Sequence, residues 1–187
     1  MQILKRITLI IIILVIVAFV FRGWIFRHMV TYKSFGLREE YTITDPTFKN
    51  LVAGHVASQD LMDITAIINS SLSLTSKQLH FTASDNELDP NQLVTSRTAH
   101  CVGYANFFAT VCNSLIQKQN LSDEWKATAR IGHLYLFRTD IHVYFKTSYF
   151  KDHDFVTLEN KTSGEVLAVD PTLHDYSCIR LVRYQSE

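Results

Sequence analysis

The longest pattern in the chain is an apolar run near its start. Residues 7–21 are apolar except for Thr8, and the segment 7–26 includes Trp24 near its end. A helix of about 20 residues spans roughly 30 Å, which matches the hydrocarbon thickness of a bilayer. Because a lone segment in lipid must satisfy its backbone hydrogen bonds internally, the run predicts one transmembrane helix.

A cleaved signal peptide is an alternative interpretation of the same run. Lys5 and Arg6 precede it, as basic residues do in signal peptides, but no small-x-small cleavage site follows. We therefore expect an uncleaved anchor over 7–26, with secretion after cleavage as the alternative. The short basic terminus 1–6 is expected to stay inside, which makes the protein single-pass with its domain on the extracytoplasmic side.

The remainder of the chain divides into a connector and one domain. Residues 27–44 are interpreted as a juxtamembrane connector, and residues 45–187 as one domain, which is long enough for a core of its own. Apolar spacings of three and four predict a first helix that Asp60 caps and a second helix over about 98–117.

Alternation of apolar and polar residues replaces the helical spacing after Trp125. It predicts strands over 129–137 and 141–147, and a further strand pair over 155–158 and 165–169. Helices followed by an antiparallel sheet are typical of an α+β domain.

Composition excludes several classes of protein. Lys and Arg total 18, as do Asp and Glu, so the chain has no net charge and does not resemble a nucleic-acid binder. Hydrophobic residues make up 47% and charged residues 19%, which excludes a disordered chain. Three cysteines are too few for a disulfide scaffold, and no Cys-x-x-Cys or His-x-x-x-His spacing is present. We expect neither a metal site nor a cofactor.

Cys101 is the first candidate for chemistry because it lies at the start of the second predicted helix. Unpaired backbone N–H groups there favour a thiolate. A cysteine nucleophile needs a base, and the base needs an acceptor that orients it. His142 on a predicted strand and Asp170 at the end of another supply both if the strands are adjacent. Each residue also has an ordinary interpretation: a buried thiol, a strand histidine and a turn before Pro171.

Three segments together resemble the transglutaminase-like superfamily, which has a papain-related α+β fold. They are Cys101-Val-Gly-Tyr-Ala, His142-Val-Tyr and Asp170-Pro-Thr, in that order, and the resemblance covers about residues 60–176. It implies that Cys101 is the nucleophile, His142 its general base and acid, and Asp170 the residue that orients His142. It also implies a transglutaminase-like domain with N-terminal helices and an antiparallel sheet.

The expected function is acyl transfer from amide bonds of peptides or proteins by a membrane-anchored cysteine enzyme. Water as the acceptor makes the enzyme a peptidase or amidase, and an amine makes it a transglutaminase. The expected partners are a peptide or protein substrate, the membrane through the N-terminal helix and, as a further candidate, an envelope protein, but no nucleic acid. The alternative is an inactive module of the same fold that binds a peptide or envelope component.

Overall fold

Helices and strands alternate along most of the chain in an α+β arrangement, as the sequence predicts. The computed structural model describes residues 2–57, 59–84, 86–147 and 151–186. In chain order its elements are α1 (Gln2–Val20), α2 (Arg22–Met29), β1 (Val30–Leu37), α3 (Pro46–Val56), α4 (Ile64–Gln78), β2 (His80–Phe81), α5 (Pro90–Ser96), β3 (Thr98–Ala99), α6 (Cys101–Lys118), β4 (Trp125–Leu136), β5 (Thr139–Asp140), a 3₁₀ turn (His142–Tyr144), β6 (His153–Asn160), β7 (Val166–Val169), α7 (Pro171–Ser177) and β8 (Arg183–Tyr184).

The N-terminal apolar run forms two helices, whereas the sequence predicted one over 7–26. α1 ends at Val20, and α2 leaves it at an angle of 71°. Arg22 explains the break, because its Nε donates to the carbonyl of Ser177 at 2.6 Å and holds the chain against the domain. Among the described residues only this bent pair, and no single helix, has the length and apolarity to span a membrane.

The residues expected to form a connector supply a strand inside the sheet. The strand order is β7-β6-β4-β1-β8, so β1 lies between β4 and β8. Val30 pairs with Leu136 and Leu37 with Arg130, about 100 residues away. The interpretation of 27–44 as a connector is therefore wrong, and the sheet includes residues that precede position 45.

The sheet is not wholly antiparallel. Three neighbouring pairs are antiparallel, namely β1 with β4, β4 with β6, and β6 with β7. The pair of β1 and β8 is parallel. Val182, just before β8, forms an antiparallel bridge with Ala168 of β7, which brings the two ends of the sheet together and nearly closes it. Tyr32 and Phe155 fill the interior of this curled sheet together with Ala168 and Val182.

The larger core lies between the helices and the other face of the sheet. α6 is its central element, and Tyr104, Phe107, Phe108 and Leu115 of α6 are almost completely buried. α4 and β4 pack against α6 from either side. α6 begins within a few residues of its predicted start, but α4 begins after Asp63 rather than Asp60, because the Asp63 carboxylate accepts from the N–H of Ala66 at 2.7 Å.

The predicted strand over 141–147 is absent from its described residues. Phe137 and Arg138 have positive φ angles of 47° and 73° and turn the chain sharply into the two-residue strand β5. Asp140 then accepts from the backbone N–H of His142 at 2.9 Å and starts the 3₁₀ turn. The other predicted strands are confirmed as β4, β6 and β7, and β6 begins earlier than expected, at His153.

Candidate active site

Cys101 is the first residue of α6, and His100 is its N-cap. The imidazole Nδ1 of His100 accepts from the backbone N–H of Val102 at 3.3 Å. Cys101 is partly exposed, whereas Cys112, further along the same helix, is fully buried in the core. The helix start therefore presents one of the two α6 thiols at the surface, beside backbone N–H groups that favour a negative charge.

His153 and Asp170 meet where β6 and β7 lie side by side. The Nε2 of His153 lies 2.7 Å from Oδ2 of Asp170, and the Asp170 carboxylate is almost completely buried. Asp170 follows the last residue of β7 and caps α7, because its Oδ1 accepts from the N–H of Leu173 at 2.9 Å. The carboxylate is therefore fixed by the helix that follows it as well as by the imidazole.

Tyr32 adds a third partner to the same carboxylate. Its hydroxyl donates to Oδ2 of Asp170 at 2.7 Å, and its ring packs edge-on against His153 with 6.1 Å between the ring centroids. Tyr32 is 2% exposed and comes from β1. β1, which the hydrophobic pattern did not predict as a strand, thus contributes directly to the site.

The thiol of Cys101 and the imidazole of His153 lie close enough for each to shift the pKa of the other. Because Nε2 of that ring faces Asp170, Nδ1 is the nitrogen left for the sulfur. The backbone N–H of Asp154 also lowers the pKa of the thiol. Cys101, His153 and Asp170 therefore form a continuous thiol–imidazole–carboxylate chain that joins α6, β6 and the end of β7.

His142 occupies a different position from the one that the sequence predicted. Its ring stacks on His133 with 5.0 Å between centroids, and Nδ1 of His133 lies 2.7 Å from Asp140. The expected trio of Cys101, His142 and Asp170 is corrected in its middle member, because the strand beside β7 begins at His153 rather than carrying His142. Phe155 was a usable signal, since it gives His153 an aromatic residue two positions on, as in the His-x-aromatic motif of the resemblance.

A glycine lets the three strands approach closely beside the imidazole. Gly132 of β4 pairs with His153 of β6. A Cβ atom at Gly132 would lie 2.6 Å from the ring of Phe155 and would also collide with the carbonyl oxygen of Lys33. A larger residue at this position would push β6, and His153 with it, away from β1.

The surroundings of Cys101 favour its thiolate. Burial raises the pKa of the thiol, but the hydrogen bonds from His100 and His153 and the positive charge of His153 outweigh burial and lower the pKa to about 7. Burial also lowers the pKa of His153, whereas the charge and hydrogen bond of Asp170 and the contact with Cys101 raise it well above its ordinary value. The pair is therefore poised as thiolate and imidazolium near neutral pH.

An ion pair lies next to Cys101. Arg38 binds the buried carboxylate of Asp154 through two contacts, Nε to Oδ2 at 2.6 Å and Nη2 to Oδ1 at 3.0 Å. The hydrogen bond and charge of Asp154 raise the pKa of Arg38, burial lowers it, and the charges of Asp152 and the Cys101 thiolate add smaller increases. Part of the Arg38 side chain is exposed, so a cation borders the approach to the sulfur.

No set of three His, Cys, Asp or Glu side chains among the described residues is arranged to hold a metal ion. The chain has no match among protein-family models, curated proteins or solved structures.

Proposed function

We propose that the protein is a cysteine acyl-transfer enzyme in which Cys101, His153 and Asp170 act as the catalytic triad. The observation that carries this proposal is the position of His153 between a thiol and a buried carboxylate that is itself held by Tyr32. A histidine that served only structure would not need a partly exposed cysteine at a helix N-terminus on its other side. The order of the motifs and the α+β fold support a transglutaminase-like assignment.

The proposed reaction begins with attack of the Cys101 thiolate on an amide carbonyl. The imidazolium of His153 gives its proton to the leaving amine, so that the C–N bond breaks and a thioester remains on Cys101. The neutral imidazole then accepts a proton from the incoming nucleophile, whose attack on the thioester releases the thiolate. Asp170 keeps Nδ1 of His153 directed at the sulfur and stabilises the imidazolium.

The start of α6 is the proposed oxyanion site. The backbone N–H of Cys101 belongs to the first turn of an 18-residue helix, where backbone donors have no partner within the helix. The developing negative charge on the carbonyl oxygen would be stabilised by this donor and by the helix dipole.

Hydrolysis is the favoured outcome because water reaches any thioester from which it is not excluded. An amine acceptor would turn the same intermediate into a cross-link. Peptides or proteins are the proposed substrates, and an envelope protein remains a candidate partner.

We propose further that the bent pair anchors the enzyme in a membrane, with α1 in the bilayer, α2 at its surface and the catalytic domain on the extracytoplasmic side. The side chains of α1 from Ile7 to Val20 are apolar, apart from Thr8, and exposed. The full chain should stay with membranes after carbonate washing, and release by carbonate would contradict an inserted anchor. A version without α1 should keep β1, since a start near residue 44 would remove a central strand.

The covalent intermediate tests the proposed chemistry. The protein is incubated with a peptide ester, and the intact mass is measured with and without hydroxylamine, which cleaves thioesters. We expect a hydroxylamine-sensitive acyl adduct in the wild type and in Cys178→Ser, and none in Cys101→Ser. An adduct that persists in Cys101→Ser, or no adduct at all, would favour a module that binds peptides without catalysis.

A further inference from the structure

A cavity lies where the N-terminal helices meet the domain. Its volume is about 610 Å³. Residues 20–24 and Arg27 form one wall, and residues 166–168 and 178–182 form the other. The cavity involves none of the proposed catalytic residues.

Three arginines give this cavity a strong positive charge. Arg22, Arg27 and Arg180 all line it, and no acidic side chain does so. Their observed hydrogen bonds go to neutral acceptors, the carbonyls of Phe19, Ser177 and Leu181 and the amide of Asn69. These acceptors orient the guanidinium groups without neutralising them, and a guanidinium has further donors in a fork that matches phosphate.

The rest of the cavity wall and its rim are apolar. Val20 and Phe21 continue the exposed apolar surface of α1 into the cavity, and Phe21 and Trp24 are more than half exposed. Leu167, Ala168 and Val182 line the domain side. A ligand that binds both the arginines and the apolar wall has an anionic head and an apolar tail.

The bend between the two helices places α2 beside the domain, where residues of α2 form one wall of the cavity. α2 lies at 71° to α1, and Phe26 of α2 packs against Tyr32 in the curled sheet. With α1 inserted along the bilayer normal, α2 and the three arginines lie at the level of the lipid headgroups. Exposed Trp24 is typical of that interfacial level.

We propose that this cavity binds the phosphate headgroup of an anionic phospholipid through Arg22, Arg27 and Arg180. The lipid fixes the domain at a defined orientation over the membrane surface. The proposal goes beyond the acyl transfer at Cys101 and rests on the proposed insertion of α1.

Lipid selectivity of the full chain tests this site. The protein is reconstituted in nanodiscs with equal amounts of phosphatidylglycerol and phosphatidylcholine, and the lipids that stay bound after detergent extraction are measured by native mass spectrometry. We expect phosphatidylglycerol to be enriched over phosphatidylcholine. Arg180→Gln should reduce the enrichment about fivefold, and Arg22→Gln together with Arg180→Gln should reduce it further.

Arg183→Gln is the matched control, because Arg183 is exposed and close in sequence but does not line the cavity. Equal retention of the two lipids, an equal loss in Arg183→Gln, or enrichment that survives the double substitution would overturn the proposal. Displacement of the lipid by millimolar inorganic phosphate would also overturn it in favour of a small-anion site. The acyl adduct on Cys101, measured on the same samples, reports separately on the proposed function and should be unchanged by Arg180→Gln.

Discussion

Two histidine–aspartate pairs in this molecule have the same contact distance and different surroundings. His153 and Asp170 are 2.7 Å apart, as are His133 and Asp140. The Asp170 side chain is 2% exposed, against 18% for Asp140. Asp170 also accepts from Tyr32 and caps α7, whereas Asp140 accepts from the N–H of His142 in a short turn.

The two pairs also differ in the group that contacts each imidazole on the side away from its aspartate. The ring of His153 faces the thiol of Cys101, while the ring of His133 stacks on His142 and meets Phe35 edge-on. The first pair joins two neighbouring strands of the sheet, and the second lies within one tight hairpin. A histidine–aspartate contact alone therefore does not set the two pairs apart. Burial of the carboxylate and a thiol on the other side of the ring do, and they support the proposed role of His153 and Asp170.

The largest difference in the rate of acyl transfer is expected between variants that lack one or the other imidazole. His153→Ala should lower the rate of acyl transfer by about 10⁴-fold, because it removes the proposed general acid and base. His133→Ala, the matched control, should leave the rate within about threefold of wild type, since its ring does not contact the thiol. Steady-state hydrolysis of a peptide ester measures both, and the reverse ranking would assign the chemistry to the other pair.

Substitution of the carboxylates should give a smaller contrast of the same kind. Asp170→Asn leaves the imidazole in place but weakens its orientation and removes the charge that stabilises its protonated form, so we expect a loss of about 10²-fold. Asp140→Asn should have little effect on the rate. If Asp170→Asn retains full activity while remaining folded, Asp170 is a helix cap alone.

The hydrogen bond from the Tyr32 hydroxyl to Asp170 can be tested by its contribution to stability. Tyr32→Phe removes a buried hydrogen bond to a charged group, which should lower the free energy of unfolding by about 2 kcal/mol. Tyr41→Phe is the control, because its exposed hydroxyl reaches Glu39 at 3.4 Å and its loss should cost less than about 0.5 kcal/mol. Urea unfolding at pH 7 measures both, and equal effects would mean that the Asp170 carboxylate does not depend on Tyr32.

The smallest expected effect is the contribution of the His153–Asp170 pair to the pH dependence of the free energy of unfolding. Burial raises the pKa of Asp170, but the charge and hydrogen bond of His153 lower it overall, while Asp170 raises the pKa of His153. The carboxylate stabilises the fold above its ordinary pKa and loses this effect as pH falls. The imidazolium stabilises the fold below its ordinary pKa and loses this effect as pH rises.

The combined contribution should therefore be complete between about pH 4 and 6.5 and decline on both sides. Asp170→Asn should flatten this part of the unfolding free-energy curve, measured by urea unfolding at each pH. A curve that Asp170→Asn does not alter would mean that the buried pair is not ionised in the folded protein.

Local patterns in the sequence predicted the elements that carry two of the three residues of the proposed triad. Helical spacing places Cys101 near the start of α6, and alternation places Asp170 at the end of β7. Both positions depend on residues within a few places along the chain. They could therefore be predicted without knowledge of the tertiary structure.

The positions of His153, the proposed base, and of Tyr32, which binds Asp170, depend on pairings between distant segments. His153 is selected because β6 is the strand that pairs with β7, and Tyr32 enters because β1 pairs with β4 about 100 residues later. His142 matched the alternating pattern as well as a strand residue would, but two positive φ angles at Phe137 and Arg138 redirect that segment into a turn. Such long-range and turn effects leave little trace in hydrophobic periodicity.

The proposed chemistry depends on a thiolate–imidazolium pair formed by Cys101 and His153. The pH dependence of iodoacetamide alkylation at Cys101 tests this pair and is followed by peptide mass mapping in the wild type, His153→Ala and His142→Ala. We expect a half-maximal rate near pH 7 in the wild type and in His142→Ala, and a midpoint at least one pH unit higher in His153→Ala. A midpoint that moves with His142 but not with His153 would show that His153 is not the partner of the thiol.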